Sequence, residues 1–369
     1  MTMAELVIKA RTYTIGIQSV PEIIEGGYTY ADKLLSVAFA IFSLLFLTML
    51  SGGCSDRQTW HKSQGMIWNT VWHATYRGPE DAISAAMDSL KSVEGSVSVF
   101  DEHSLISVIN RSESGPADRH LTAVYETSKR INRLSGGLFD PTLSPLIKAW
   151  GFGKGHTPTA DTARIETILE YVGIDRTRIE NGVIYKDTPE IAFNFSAIAK
   201  GYGVDVAAET MMNQGCSDLM MEIGGEVVCR GLNPEGKKWR ILIETPDEEY
   251  LKEVFKYEKE PTFSTQLIVE LSDEALATSG NYRNYHSDSG QTFGHTISPV
   301  TGRPVKTDIL SASVIAPSCM EADALATACM AMGSEEAMKM LDEAGLAGAF
   351  ILYTGEVMVN DHMKRHISK

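Results

Sequence analysis

Residues 34–50, LLSVAFAIFSLLFLTML, run for seventeen positions without a charge, and this stretch decides how the rest of the chain is divided. Seventeen apolar residues lie at the lower limit for crossing a bilayer core. Lys33 precedes the stretch and the small residues SGGCS follow it, so basic flank, apolar core and small residues stand in the order of a secretory signal. Residues 1–53 therefore read as leader and signal peptide, 54–64 as a polar linker, and 65–369 as the part that must build a core.

Cys54 looks like the lipid-acceptor cysteine of a bacterial lipoprotein signal, which would hold the exported domain to the membrane on its extracytoplasmic side. An uncleaved membrane anchor with an incidental cysteine is the alternative, and it exports the same domain. None of the five cysteines stands in a Cys-x-x-Cys pair, which excludes a finger-type metal site and a disulfide scaffold. Cys216, Cys229, Cys319 and Cys329 read as small core fillers. With 33 Lys and Arg against 48 Asp and Glu, the formal charge is −15, and a general nucleic-acid binder, which needs a basic face, is excluded. A hydrophobic fraction of 43% excludes a disordered chain.

The segment 67–76, IWNTVWHATY, alternates as a single β-strand should. Behind Pro79, Ala82, Ile83, Ala86, Met87, Leu90 and Val93 recur at helical spacing. A second helix is expected from about residue 117 to 135, stopped by Gly136-Gly137. Past the midpoint come short strand candidates at 218–223, 226–231, 239–244, 266–271, 275–280 and 311–317. Helices follow around 321–332 and 335–343, then strand-like pieces at 347–354 and 356–360. Strands and helices mix without a regular βαβ period, so the fold class is α+β. The charged stretch 246–261 reads as a solvated surface insertion.

The common catalytic signatures are absent: no P-loop, no His-Glu-x-x-His and no Gly-x-Ser-x-Gly. GFGKG (151–155) and GYG (201–203) lack dinucleotide-binding spacing. What stands out is a series of glycine and polar islands that core packing does not require. GGLFDPTLSPLIKAWGFG (136–153) brackets an acid and a tryptophan with turn formers, as a pocket-lining loop would. FNFSAIAKGYGVD (193–205) opens a helix with small residues, so an anion could approach its backbone N–H groups. EIGGEVVCRG (222–231) pairs two glycines between strands. ATSGNYRNY (277–285) and HTISPVTGRPV (295–305) set a histidine beside a proline-bounded turn. In MEADALATACMAMG (320–333), Asp323 and Thr327 are four apart on one helix face and offer two hard oxygen ligands suited to Mg²⁺. Singly, each has a structural explanation: a capping pair, a hydrogen-bonded histidine, core aromatics at Phe100 and Trp150, a plain turn at Gly224-Gly225.

Taken together and in this order, these islands, with SVFDEHSLISVIN (98–110), resemble the ApbE family of FAD:protein FMN transferases over roughly residues 64 to 359. The resemblance implies one α+β catalytic domain, related to the T-fold, with FAD in an elongated cleft and Mg²⁺ at its pyrophosphate. It implies transfer of FMN from FAD, through its phosphate, to a Thr or Ser hydroxyl of a target protein, with release of AMP. Family targets typically carry an Asp-Gly/Ala-x-Ser/Thr-Gly-Ala-Thr type motif and include exported subunits of sodium-pumping and electron-transfer complexes.

The resemblance also assigns residues. Asp323 and Thr327 match the family's Mg²⁺ side-chain ligands, and Ala197 falls where a backbone carbonyl completes the site. Phe100, Phe139, Asp140, Pro141, Asn194, Lys200 and Ile297 match FAD-contacting positions. Asn194 stands where the family commonly has Asp, and Phe100 where it often has Tyr. His295 matches the histidine proposed to activate the target hydroxyl; an imidazole, with an ordinary pKa of about 6.5, suits a general base near neutral pH. Rival expectations are an FAD pyrophosphatase giving free FMN and AMP, a non-catalytic flavin-binding protein and a purely structural lipoprotein.

Overall fold

The computed structural model describes residues 59–152, 162–244, 267–280, 285–288, 291–294 and 296–368, all within a unit running from Asp56 to Lys369. The apolar stretch 34–50, Cys54, the charged stretch 246–261 and His295 lie outside the described residues. Among the described residues no helix is long and apolar enough to cross a membrane.

The first hairpin departs from the sequence reading. β1 (Trp60–Ile67) takes up residues assigned to the linker, and β2 (Thr70–Arg77) is the only part of 67–76 that continues as the expected strand. The alternation is broken at Trp68 and Asn69, which turn the chain with φ of 49° and 60°. Two successive positive-φ residues make the tight connection that matches strand twist. Asn accepts this conformation readily, but Trp does so only under tertiary constraint. Here the Trp68 ring lies against Gly203, where a Cβ would collide with it, and packs against the core cluster that contains Leu90.

Helices α1 (Ala82–Val97) and α3 (Arg119–Leu134) form where periodicity places them, with the short α2 (Leu105–Asn110) and β3 (Ser114–Pro116) between. Asp118 caps α3 by accepting the Leu121 N–H at 2.8 Å. The glycine-bounded loop after α3 contains a helix, α4 (Ser144–Ala149), followed by α5 (Thr162–Leu169). A small sheet of β3, β5 (Val183–Lys186) and β4 (Thr177–Glu180), in that spatial order, precedes α6 (Ala199–Asn213).

The main sheet has eight antiparallel strands. After β1 and β2 it takes in β6 (Asp218–Ile223), β7 (Glu226–Arg230), β10 (Ala275–Gly280), β13 (Ile309–Ala316), β14 (Ala347–Leu352) and β15 (Val357–Val359), in that spatial order. Pleating sorts each strand between two faces. Leu219, Met221 and Ile223 of β6 join Trp72, Ala74 and Tyr76 of β2 against α1 and α6. Val227 and Cys229 of β7 point the other way, under the hairpin of β8 (Trp239–Ile243) and β9 (Leu267–Leu271). A separate hairpin, β11 (Tyr285–Asp288) and β12 (Gln291–Gly294), precedes β13.

Two helices close the order, α7 (Cys319–Met332) and α8 (Ser334–Glu343), before β14 and the terminal α9 (Asp361–Lys364). α7 is alanine-rich and buried almost all round, as a helix wedged between a sheet and other helices must be. A satellite cluster of Leu146, Ala149, Ile165 and Ile297 packs α4, α5 and the turn 296–305 together.

Candidate active site

The site is built on the crossing of α6 with α7. The two backbones approach so closely at Gly201 that a Cβ there would run into the Cys319 carbonyl and lie 2.8 Å from Asp323 Cβ. This contact lets the Gly201 N–H, in the first turn of α6, donate to Asp323 Oδ2 at 3.0 Å. Asp323 is 5% exposed. Burial raises its pKa; the nearby Lys200 ammonium and the Gly201 N–H oppose that shift. Thr327 follows one turn along α7, half-buried.

Lys200 and Glu226 complete the charged cluster. Glu226 opens β7 directly after the turn Gly224-Gly225, whose φ values are 61° and 102°. That turn is pinned by Glu222, which accepts the Gly225 N–H at 2.6 Å. Glu226 is buried, and its Oε1 lies 2.5 Å from Lys200 Nζ. Burial alone would lower the Lys200 pKa, but Glu226 and then Asp323 more than reverse this and hold the ammonium charged.

Just before α6, the chain from 193 to 198 is fastened from inside. Phe193 and Phe195 stack at 5.5 Å in the core, and Ile198 is buried beside them. Asn110 clamps the Phe193 backbone from both sides, donating to its carbonyl at 2.8 Å and accepting its N–H at 2.7 Å. Of the intervening residues Ser196 is exposed and Asn194 half-buried, while Ala197 is half-buried against the core. Asn194 accepts the Ser196 N–H at 2.9 Å, and its own N–H donates to the Pro141 carbonyl at 2.6 Å. The loop 139–141 and the start of α6 are thus tied by backbone.

That loop turns its side chains inward. The Phe139 ring sits in the core, and its carbonyl accepts from Asn132 at 2.7 Å. Asp140 accepts from the Thr142 N–H at 2.8 Å, the Thr142 hydroxyl at 2.5 Å and the Ile174 N–H at 3.0 Å. Its pKa is raised by burial against these hydrogen bonds. The sequence suggested a loop lining a pocket; the carboxylate instead braces the loop from within.

Two other expected residues lie on separate elements. Phe100, taken singly, reads as a core aromatic, yet on the turn between α1 and α2 it is 77% exposed. Ile297 is buried in the satellite cluster and bridges Pro304, while the Trp150 indole donates to the Gly302 carbonyl at 2.7 Å. His295, expected as the base, is outside the described residues. Sequence reasoning gave Gly201, Asn110 and Glu226 no role of their own. For Glu226 a signal existed: an acid opening an otherwise apolar strand run.

Among the described residues no group of three or more His, Cys, Asp or Glu side chains is arranged to hold a metal ion. A divalent cation would therefore take a mixed oxygen set: the Asp323 carboxylate, the Thr327 hydroxyl, a backbone carbonyl at Ala197 and water. Such hard oxygens suit Mg²⁺. The charge balance fits a cation too, since one ammonium is shared by two buried carboxylates, and an uncompensated buried charge is costly.

Comparison with known proteins bears on the family and the fold. Residues 68–350 match the ApbE family. An FAD:protein FMN transferase of Vibrio cholerae serotype O1 is 34% identical over 314 residues, covering 82% of this chain and 89% of that protein. One of Escherichia coli K12 is 28% identical over 344 residues, covering 87% and 95%. The solved flavin transferase ApbE from Vibrio cholerae superposes with a TM-score of 0.72 at 31% identity, over 84% of this chain and 99% of that one. The apo flavinyl transferase ApbE of Pseudomonas stutzeri, at 24% identity and a TM-score of 0.75, shares the fold.

Proposed function

The chain belongs to the ApbE family, and from that premise we propose that it moves FMN from FAD onto a Thr or Ser hydroxyl of a target protein, with Mg²⁺, releasing AMP. It is an enzyme of the class its relatives are named for, with FAD as substrate and a protein as acceptor. The observation that carries the finer reading is the buried Asp323, held by the Gly201 N–H beside Lys200 and one turn before Thr327.

In this reading Asp323, Thr327 and the Ala197 carbonyl hold the cation, which when bound offsets the negative charge of the pyrophosphate and of the departing AMP. Lys200 adds a fixed positive charge toward the same phosphates. Asn194, Phe100, Ile297 and the 139–141 loop contact the flavin nucleotide; from 139–141 and Ile297 the contact comes through backbone, because Phe139, Asp140 and Ile297 are buried. His295 accepts the proton of the target hydroxyl as its oxygen attacks the FMN phosphorus, a new P–O bond replacing the one to the AMP phosphate. General-base assistance of this kind is typically worth about 10²–10⁴-fold. The acceptor carries the Asp-Gly/Ala-x-Ser/Thr-Gly-Ala-Thr type motif, and export with lipid attachment at Cys54 would bring enzyme and acceptor to the same side of the membrane.

Incubation with FAD, Mg²⁺ and a motif-bearing acceptor tests the reading through covalent flavin fluorescence on the acceptor in a denaturing gel. AMP release without labelling would make the protein an FAD pyrophosphatase instead. Asp323→Ala is expected to lose at least about 100-fold in Mg²⁺-dependent AMP release, the scale of removing one electrostatic stabiliser. Wild-type rates in that variant would remove Asp323 from the role.

A further inference from the structure

The Lys200–Glu226 pair is an odd investment if its purpose is stability. Burying an ion pair costs about as much as the pair returns, so a hidden carboxylate set against a lysine calls for another explanation. Glu226 keeps 1% of its side chain accessible, whereas Lys200 keeps 38%. The lysine thus has room to move, and two carboxylates to choose between: Glu226 on β7 and Asp323 on α7. Both act on its charge, Glu226 more strongly. Among the described residues Lys200 makes its ion pair with Glu226 and none with Asp323. Glu226 is held from both sides as well, since it leaves a turn fixed by Glu222 and enters a strand paired with β6.

We propose that Glu226 is a positioning residue: by holding the Lys200 ammonium, it keeps the lysine from closing on Asp323 and so leaves that carboxylate open to a divalent cation. The proposal rests on the cation-site reading given above and adds a residue which that reading does not contain. Without the Glu226 carboxylate, the nearest counter-charge for Lys200 is Asp323, and lysine and cation then compete for one ligand. With it, the two positive charges occupy separate places and can face the same anionic substrate together.

The test is a MgCl₂ titration of the full chain, without FAD, read as the Mg²⁺ concentration at half-maximal rise in melting temperature. The wild type is expected to show a saturable rise that Asp323→Asn abolishes. Glu226→Gln is expected to shift the midpoint upward by about tenfold, the usual size of coupling between linked sites. The discriminating measurement is a double-mutant cycle with Lys200→Met. If Glu226 acts through the lysine, Lys200→Met/Glu226→Gln has the midpoint of Lys200→Met alone, within about twofold. A Glu226→Gln midpoint equal to wild type overturns the proposal. So does an equal upward shift in the Lys200→Met background, which would mean that Glu226 acts by charge alone or by supporting the fold. If Glu226→Gln fails to melt cooperatively, Glu226→Asp replaces it throughout the cycle. A wild-type protein with no Asp323-dependent midpoint sinks the cation reading itself, a result distinct from a wild-type midpoint that Glu226 leaves untouched.

Discussion

A methyl group at position 201 would have nowhere to go. Its neighbours are the Cys319 carbonyl and the Asp323 Cβ, so Gly201→Ala must push α6 from α7. Overpacking of this kind costs about 1–3 kcal/mol, and urea unfolding should show a loss in that range. The shift would also lengthen the Gly201–Asp323 hydrogen bond, so Mg²⁺-dependent stabilisation should weaken with it. At this scale the sequence was half legible. Asp323 and Thr327 declared themselves through helical spacing, because both ends of the pattern lie on one element. The pairing of Lys200 with Glu226 did not, since it depends on how β7 meets α6, which no local pattern encodes. Phe100 misled in another way: taken singly it reads as core, but it is exposed on a turn.

The same crossing recurs among elements, where α6 caps α7. Asp205 of α6 accepts the Cys319 N–H at 2.9 Å and the Met320 N–H at 2.8 Å, and Ser318 accepts the Glu321 N–H at 3.2 Å. Burial nonetheless raises the Asp205 pKa to about 6. A carboxyl raised in the folded state stabilises fully below its unfolded value near 3.8, and that contribution is lost as pH rises through about 6. The stability of wild type minus that of Asp205→Asn should therefore fall between about pH 4 and pH 6 and level off above pH 7. Melts across that range check the sign, and a difference that grows with pH would contradict it. Most elements were legible as periodic runs, the helices α1, α3, α7 and α8 above all. β1 was missed because its polar, weakly alternating sequence reads like a linker, and it lies at the edge of the sheet. α4 was missed because turn formers surround a single short helix.

Across the whole molecule, the four described cysteines are all buried and unpaired, as their apolar surroundings in the sequence suggested. Burial pushes the Cys216 thiol up to about 11 and raises those of Cys229, Cys319 and Cys329 as well. A thiol reagent at neutral pH should leave these four unmodified in the native state and label them together on cooperative unfolding. Rapid native labelling of any of them, read by peptide mass, would contradict that burial. The sheet order, with β10 between β7 and β13, was beyond reach of the sequence because it is set by non-local pairing. One consequence of the α6–α7 contact concerns mutational rescue. Ordinary crowding between two side chains can be relieved by trimming either, so such lesions have suppressors nearby. At 201 the foremost obstacle is a peptide oxygen, which every residue at 319 carries alike. Randomised libraries should accordingly recover glycine there and find no partner substitution that releases it.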